Sequence, residues 1–144
     1  MVDDGWREKF RAWRARASGK QGERMAETVL KNLGFKIVAR NWRSPRDQRD
    51  EIDLVCLDGD ALVFVEVKTR ATDALVSGYY TVDRRKKAAL RRAIDAYLKS
   101  LRPENRPQTF RFDVVEVRAG FDPHVEATVH HFANVPLFEK HDGF

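Results

Sequence analysis

Residues 51 to 70, Glu-Ile-Asp-Leu-Val-Cys-Leu-Asp-Gly-Asp-Ala-Leu-Val-Phe-Val-Glu-Val-Lys-Thr-Arg, constrain this chain most. Two apolar runs, Ile52 to Leu57 and Ala61 to Val67, flank Asp58-Gly59. That dipeptide between apolar runs is a strong hairpin signal, because a two-residue type I′ turn needs φ > 0 at both central positions. With Asp58 and Gly59 as the loop, Leu57 faces Asp60, Asp53 faces Phe64, and Glu51 faces Glu66. Side chains alternate with period two, so Glu51, Asp53, Phe64, Glu66 and Lys68 share one face. Asp53 and Glu66 become diagonal neighbours, roughly 7–8 Å apart at Cα. Two carboxylates so placed can share one hard cation, which takes oxygen ligands. Ile52, Leu54, Cys56, Val63, Val65 and Val67 alternate with them and form the expected core face. Glu66 and Lys68 around Val67 also fit a half-exposed hairpin carrying an ion pair, so the rest of the chain has to decide.

Upstream, residues 20 to 33 are expected to be helical, with Met25, Ala26, Val29, Leu30 and Leu33 as the buried stripe and Gly34 as the C′ residue. Glu23 and Glu27 lie one turn apart near its start, where acids also complement the helix dipole. Phe35 to Asn41 reads as a strand, with Phe35, Ile37 and Ala39 on one face. Ser44 to Asp50 reads as a polar, mobile loop. Before all of these, residues 5 to 17 read as a basic amphipathic helix, with Trp6, Phe10 and Trp13 expected on one side. Its aromatic stripe has to be covered, either within the protomer or in a homodimer.

Downstream, Thr69 to Thr81 is loop-like and Asp83 to Leu101 is the second long helix. Its stripe is Leu90, Ile94, Tyr97 and Leu101, and continued backwards it reaches Lys86. Arg84, Arg85, Lys86, Lys87, Arg91 and Arg92 fall within nine residues that contain no acid. Such a run is either a solvated face or a surface that tracks phosphates. Phe110 to Val117 and Val125 to Val135 are the last strands, and adjacent His130 and His131 point to opposite faces of theirs. The order helix, three strands, helix, two strands means an α/β domain with a mixed sheet.

Composition narrows the partner. Lys and Arg number 27 against 22 acids, a net charge of +5 and a pI near 9.6, as expected of a nucleic-acid binder. Hydrophobic content of 42% excludes general disorder. No apolar run approaches the ~20 residues of a membrane span, and the start lacks the apolar core of a secretory signal. A lone Cys56 on the core face suits a reduced, cytoplasmic protein. The expected division is an N-terminal helix at 1–18, an α/β domain at 19–138 and a tail at 139–144.

Asp53, then twelve residues, then Glu66-Val67-Lys68, resembles the PD-(D/E)xK nuclease motif. More narrowly, the chain is similar to the bacterial YraN-like family of predicted endonucleases. The matching pieces are Gly19, Gly22-Glu23, Ala26, Leu33-Gly34-Phe35, Arg40-Asn41-Trp42-Arg43, Glu51 to Leu54, Val63 to Arg70, Lys86, and Arg111 to Val115. That family in turn resembles archaeal Holliday-junction resolvases. Two departures stand out: Asp50 replaces the family's usual Gly in a loop about one residue longer, and Ile52 replaces the Pro of the superfamily name.

The resemblance implies a restriction-endonuclease-like fold and a metal-dependent DNA endonuclease acting on branched or junction DNA. Asp53, Glu66 and Lys68 would be catalytic. Mg²⁺ or Mn²⁺ would be held by Asp53, Glu66 and the Val67 carbonyl, with Glu23 joining through water. Lys68 would orient or deprotonate the nucleophile, or stabilise developing charge. Arg70, Arg84, Arg85, Lys86, Lys87 and Arg91 would contact nucleic acid. Glu51 could join the site or pair with Lys68 or Arg49. The alternative is a non-catalytic nucleic-acid-binding protein on the same fold.

Overall fold

The computed structural model describes residues 21–71, 84–119, 124 and 127–138. The expected N-terminal helix, the C-terminal tail and the loop preceding the second long helix lie largely or wholly outside them. The described elements are α1 (Gly22–Asn32), β1 (Lys36–Arg43), β2 (Glu51–Asp58), β3 (Ala61–Ala71), α2 (Arg84–Ser100), β4 (Thr109–Ala119) and β5 (Thr128–Phe132). A single turn of 3-10 helix, Pro103–Asn105, links α2 to β4. The strands form one mixed sheet in the order β1-β2-β3-β4-β5, with β3 and β4 parallel and every other pair antiparallel. The α/β architecture with helices flanking a mixed sheet is as expected, and is consistent with a nuclease-like fold.

α1 ends where Gly34 adopts φ +93°. Gly34 N–H donates to Lys31 O at 2.9 Å and Phe35 N–H to Leu30 O at 3.0 Å, which closes a Schellman motif. Phe35 then packs with Leu30 against Leu54, Cys56, Val63, Val65 and Val115. The opposite side of the sheet is buried too. There Val55, Leu62, Phe64, Phe112 and Val114 meet Leu90, Ala93, Ile94 and Tyr97 of α2. Tyr97 stands edge-on to Trp42 at 5.3 Å and to Phe64 at 5.6 Å between centroids. The hairpin therefore has two core faces, not the one that alternation suggested, because the crossover helix covers the second.

Three local expectations are corrected. The hairpin loop is Gly59-Asp60, one residue later than expected, so Asp58 pairs with Ala61 and Leu54 with Val65. Gly59 has φ +59° and only it has positive φ in the turn, the glycine placement of a type II′ turn. The face assignment survives this shift, since moving the register by two residues leaves parity unchanged. Second, the β1–β2 register slips between Ile37 and Ala39. Ile37 packs on the α1 side and Ala39 on the α2 side, while Val38 is exposed. An extra residue in one strand reverses the alternation beyond it. Third, Ile52 joins the α2 cluster although Leu54 packs under α1.

The loop before β2 is tied down. Ser44 N–H donates to Asp50 O and Asp50 N–H to Asp47 O, both at 3.0 Å. Buried Asp50 accepts two bonds from Arg92 of α2, each 3.1 Å. Asp50 thus anchors its loop to the crossover helix.

Candidate active site

The site lies where β2 leaves β3. Their ladder runs from Asp58–Ala61 to Leu54–Val65 and ends there. Continuing that register sets Asp53 directly opposite Glu66, closer than the diagonal placement expected from the sequence. The next backbone donor on β3, Val67 N–H, goes instead to Asp53 Oδ2 at 2.8 Å. On the other side, Asn41 and Asp53 are missing from the β1–β2 ladder between the pairs Arg40–Leu54 and Trp42–Ile52, and Asn41 has φ +49°. Asp53 therefore occupies a fork between three strands. The N–H and C=O of one strand residue point to the same side, so the Val67 carbonyl is directed toward the same fork.

Glu66 is 4% exposed. Lys86 Nζ lies 3.1 Å from Glu66 Oε1, and Lys68 Nζ lies 3.9 Å from the same oxygen. Lys86 gets there because it sits one turn before Leu90 on the buried stripe of α2. Burial pulls the Lys86 ammonium down, but the Glu66 carboxylate, with Asp53 and Glu51 behind it, outweighs that and leaves its pKa raised. The Asp53 pKa is raised too, which for a carboxylic acid disfavours the charged form. Burial raises its pKa; the Val67 hydrogen bond opposes this; Glu66, Glu23 and Glu51 add to it, and the result is about 6. Four carboxylates thus share one field, with Lys68 and Lys86 beside Glu66.

Glu23 and Glu27 separate in role. Glu27 is taken by Arg40, whose Nε donates to Oε2 at 3.0 Å, and by Lys31 at 3.0 Å. The Arg40 bond, opposed by some burial and helped by Lys31, holds the Glu27 pKa at about 2. Glu23 lines a groove of about 580 Å³ together with Glu27, Arg40 and Asn41, and its charge is among those that raise the Asp53 pKa. Glu51 lies 3.5 Å from its ladder partner Arg43.

Among the described residues, no three His, Cys, Asp or Glu side chains stand close enough to hold a metal ion by themselves. The donor set still fits Mg²⁺ or Mn²⁺. Two facing carboxylates and a backbone carbonyl are hard oxygen donors, and Mg²⁺ uses few carboxylates while keeping several waters. The surplus of negative charge around half-buried Asp53 is what a bound cation would relieve.

The remaining basic residues divide. Arg84 and Arg85 are exposed at the start of α2, and Lys87 is half-buried behind them. Arg91 donates to Leu137 O at 2.9 Å. Arg70 lies 3.8 Å from Glu116 Oε1, and Arg118 Nε donates to that same oxygen at 2.9 Å. Glu116 and Arg118 escaped the reading of the sequence. A carboxylate two residues from Val114 in a central strand was the available signal.

A second polar cluster lies on the α1 side of the sheet. Asp113 is fully buried and accepts from Arg111 Nε at 3.0 Å and from Asn134 N–H at 2.9 Å, with His131 Nε2 at 2.7 Å. Arg111 also reaches Asp58 at 3.0 Å and lies over the Phe35 ring. His131 faces this cluster while His130 is exposed, as their adjacency in a strand requires.

No helix among the described residues is long and apolar enough to cross a membrane. A family model described as "Uncharacterised protein family UPF0102" matches residues 22–117. The chain is 43% identical over 101 residues to a UPF0102 protein of Chlorobaculum tepidum, covering 70% of this chain and 74% of that one. It is 40% identical over 100 residues to one of Koribacter versatilis, covering 69% and 67%. It is 42% identical over 108 residues to one of Symbiobacterium thermophilum, covering 75% and 87%.

Proposed function

The chain belongs to the family described as "Uncharacterised protein family UPF0102", and for it we propose a metal-dependent DNA endonuclease of the PD-(D/E)xK type, working in the cytoplasm. The observation that carries this reading is the convergence of Asp53, Glu66, Lys68 and Lys86 at the fork between β2 and β3. A stable fold has no need of it. Buried charges that could be replaced by apolar side chains rarely add net stability, and clustered groups with displaced pKa values favour a functional site.

In this reading Asp53, Glu66 and the Val67 carbonyl hold Mg²⁺ or Mn²⁺, with Glu23 contributing through water. When bound, the ion supplies charge stabilisation at the scissile phosphate and a more acidic water. Lys68, 3.9 Å from Glu66 Oε1, is the residue whose ammonium would orient the attacking water and offset charge on the phosphorane. Lys86 holds the same Glu66 oxygen from α2, at 3.1 Å. Branched or junction DNA is the substrate class proposed.

The test is cleavage of branched, nicked and single-stranded DNA with EDTA, Mg²⁺ or Mn²⁺. Wild type is expected to cut at least one substrate only with metal. Lys68→Ala should lower the rate by roughly 10²-fold or more while DNA binding stays within about twofold. Binding without metal-dependent turnover would leave a non-catalytic nucleic-acid-binding protein on a nuclease-like fold.

The basic start of α2 makes a separate prediction. Arg84, Arg85 and Lys87 are proposed to contact phosphates. Replacing all three by Gln should weaken binding and flatten the plot of log K against log salt by about 0.9 for each B-DNA phosphate no longer neutralised. An unchanged slope would make this run a solvated helix face.

A further inference from the structure

The carboxylate of Glu116 is 2% exposed, in the middle of a strand whose neighbours Val114, Val115 and Val117 are all buried. Phe112 and Val114 pack on the α2 side of the sheet, so Glu116 and Arg118, at two-residue intervals, continue that face. Phe64 packs there too, so Glu66, Lys68 and Arg70 form the parallel row on β3. The β3–β4 register matches these rows: Glu66 with Val114, Lys68 with Glu116, Arg70 with Arg118. Moving along the strands away from the fork, the surface therefore passes from the carboxylates to Lys68 and then to two arginines.

Glu116 Oε1 serves both arginines, with Arg118 Nε at 2.9 Å and Arg70 Nε at 3.8 Å. Their side chains keep 20% and 25% of their surface exposed. An arginine has five N–H donors in a fixed fork, so the single Glu116 oxygen that Arg118 Nε–H binds does not exhaust its donors. The stability of a central strand does not require this arrangement, since an apolar residue at Glu116 would avoid the desolvation of a buried charge. Open sheets also place ligands outside the carboxyl ends of their parallel strands, and that is where Arg70 and Arg118 stand.

We infer that Glu116 is a positioning residue that holds Arg118 beside Arg70 as a phosphate subsite next to the catalytic carboxylates, receiving the neighbouring phosphate of the same nucleic-acid strand. The spacing suits the phosphate next to the scissile one, not the scissile phosphate itself. Arg70 and Arg118 lie two residues beyond Lys68 along the strands, roughly 6–7 Å, comparable with the separation of adjacent phosphates. This inference rests on the nuclease reading above.

The experiment is fluorescence-anisotropy titration of a labelled four-way junction and a labelled single strand, in EDTA, across a salt series. Wild type, Arg118→Gln, Arg118→Lys and Glu116→Gln are compared, each checked for folding by thermal melting. Arg118→Gln should weaken binding several-fold and lower the salt slope by about 0.7 on the single strand or 0.9 on duplex arms. Glu116→Gln should do the same although it removes a negative charge, which on a merely electrostatic view would strengthen binding. Arg118→Lys should keep the slope. Stabilisation of the free protein by Mn²⁺ should be unchanged in all three variants. Should Glu116→Gln fail to fold, Arg118→Gln decides alone. Wild-type slopes in Arg118→Gln, with wild type binding and cutting DNA, overturn the subsite only. No DNA binding by wild type at low salt overturns the nuclease reading and the subsite with it.

Discussion

Asp113→Ala is expected to cost about 3–5 kcal/mol, the usual range when one partner of a buried ion pair is removed. Asp113 is fully buried, and Arg111, His131 and the Asn134 N–H all converge on it. Through Arg111 it also ties in Asp58 at the hairpin turn. Alanine would leave the Asn134 N–H and part of the Arg111 guanidinium facing an apolar gap. Against a total stability of about 5–15 kcal/mol, this loss approaches unfolding. Burial alone would raise the Asp113 pKa, but His131, Arg111 and Asn134 outweigh it and the folded value is lowered. A lowered carboxylate pKa contributes stability above the unfolded value near 3.9 and loses it as pH falls through the folded value. Urea unfolding of wild type and Asp113→Asn should therefore differ most near neutrality and converge in acid. A loss under about 1 kcal/mol for Asp113→Ala at neutral pH would show that the cluster is not what joins β4, β5 and the turn.

Asp53→Asn should do the opposite to the metal-free protein. The folded pKa of Asp53 is about 6, raised by burial and by Glu66, Glu23 and Glu51 against the Val67 hydrogen bond. A folded pKa above the unfolded value near 3.9 means that stability is lost as pH rises from about 4 to about 6. At neutral pH the cost is on the order of 3 kcal/mol at 1.36 kcal/mol per unit. Asparagine keeps an acceptor for Val67 N–H without the charge, so the variant should melt higher than wild type in EDTA at pH 7. The two should draw together near pH 4. Mg²⁺ or Mn²⁺ should stabilise wild type by about 2.7 kcal/mol at 100 times the dissociation constant, and Asp53→Asn by far less. If wild type gains nothing from either ion and Asp53→Asn melts well below it in EDTA, the metal site is wrong, and the endonuclease mechanism with it.

The face shared by Asp53, Glu66 and Lys68 was legible because strand side chains alternate with period two, and a hairpin couples two strands through one short turn. Even a turn placed one residue early left that parity intact. Lys86 was legible as the backward continuation of the Leu90, Ile94, Tyr97 stripe, and Gly34 as the end of α1, because helical periodicity and capping are local. Sequence by itself thus determined the order of elements, the mixed α/β class and the residues able to meet at the site. Tertiary structure alone decided how they meet. The direct opposition of Asp53 and Glu66 depends on where β2 parts from β3, and the bulge after Ile37 depends on pairing between strands. Glu27 is drawn to Arg40 on a neighbouring strand, while the charge of Glu23 acts on Asp53, and nothing in the spacing of the two acids distinguishes them. Asp50 meets Arg92 across 42 residues of sequence and Asp58 meets Arg111 across 53. Such partners come together through strand register and the packing of the crossover helix, quantities that belong to the whole sheet and leave no periodic trace along the chain.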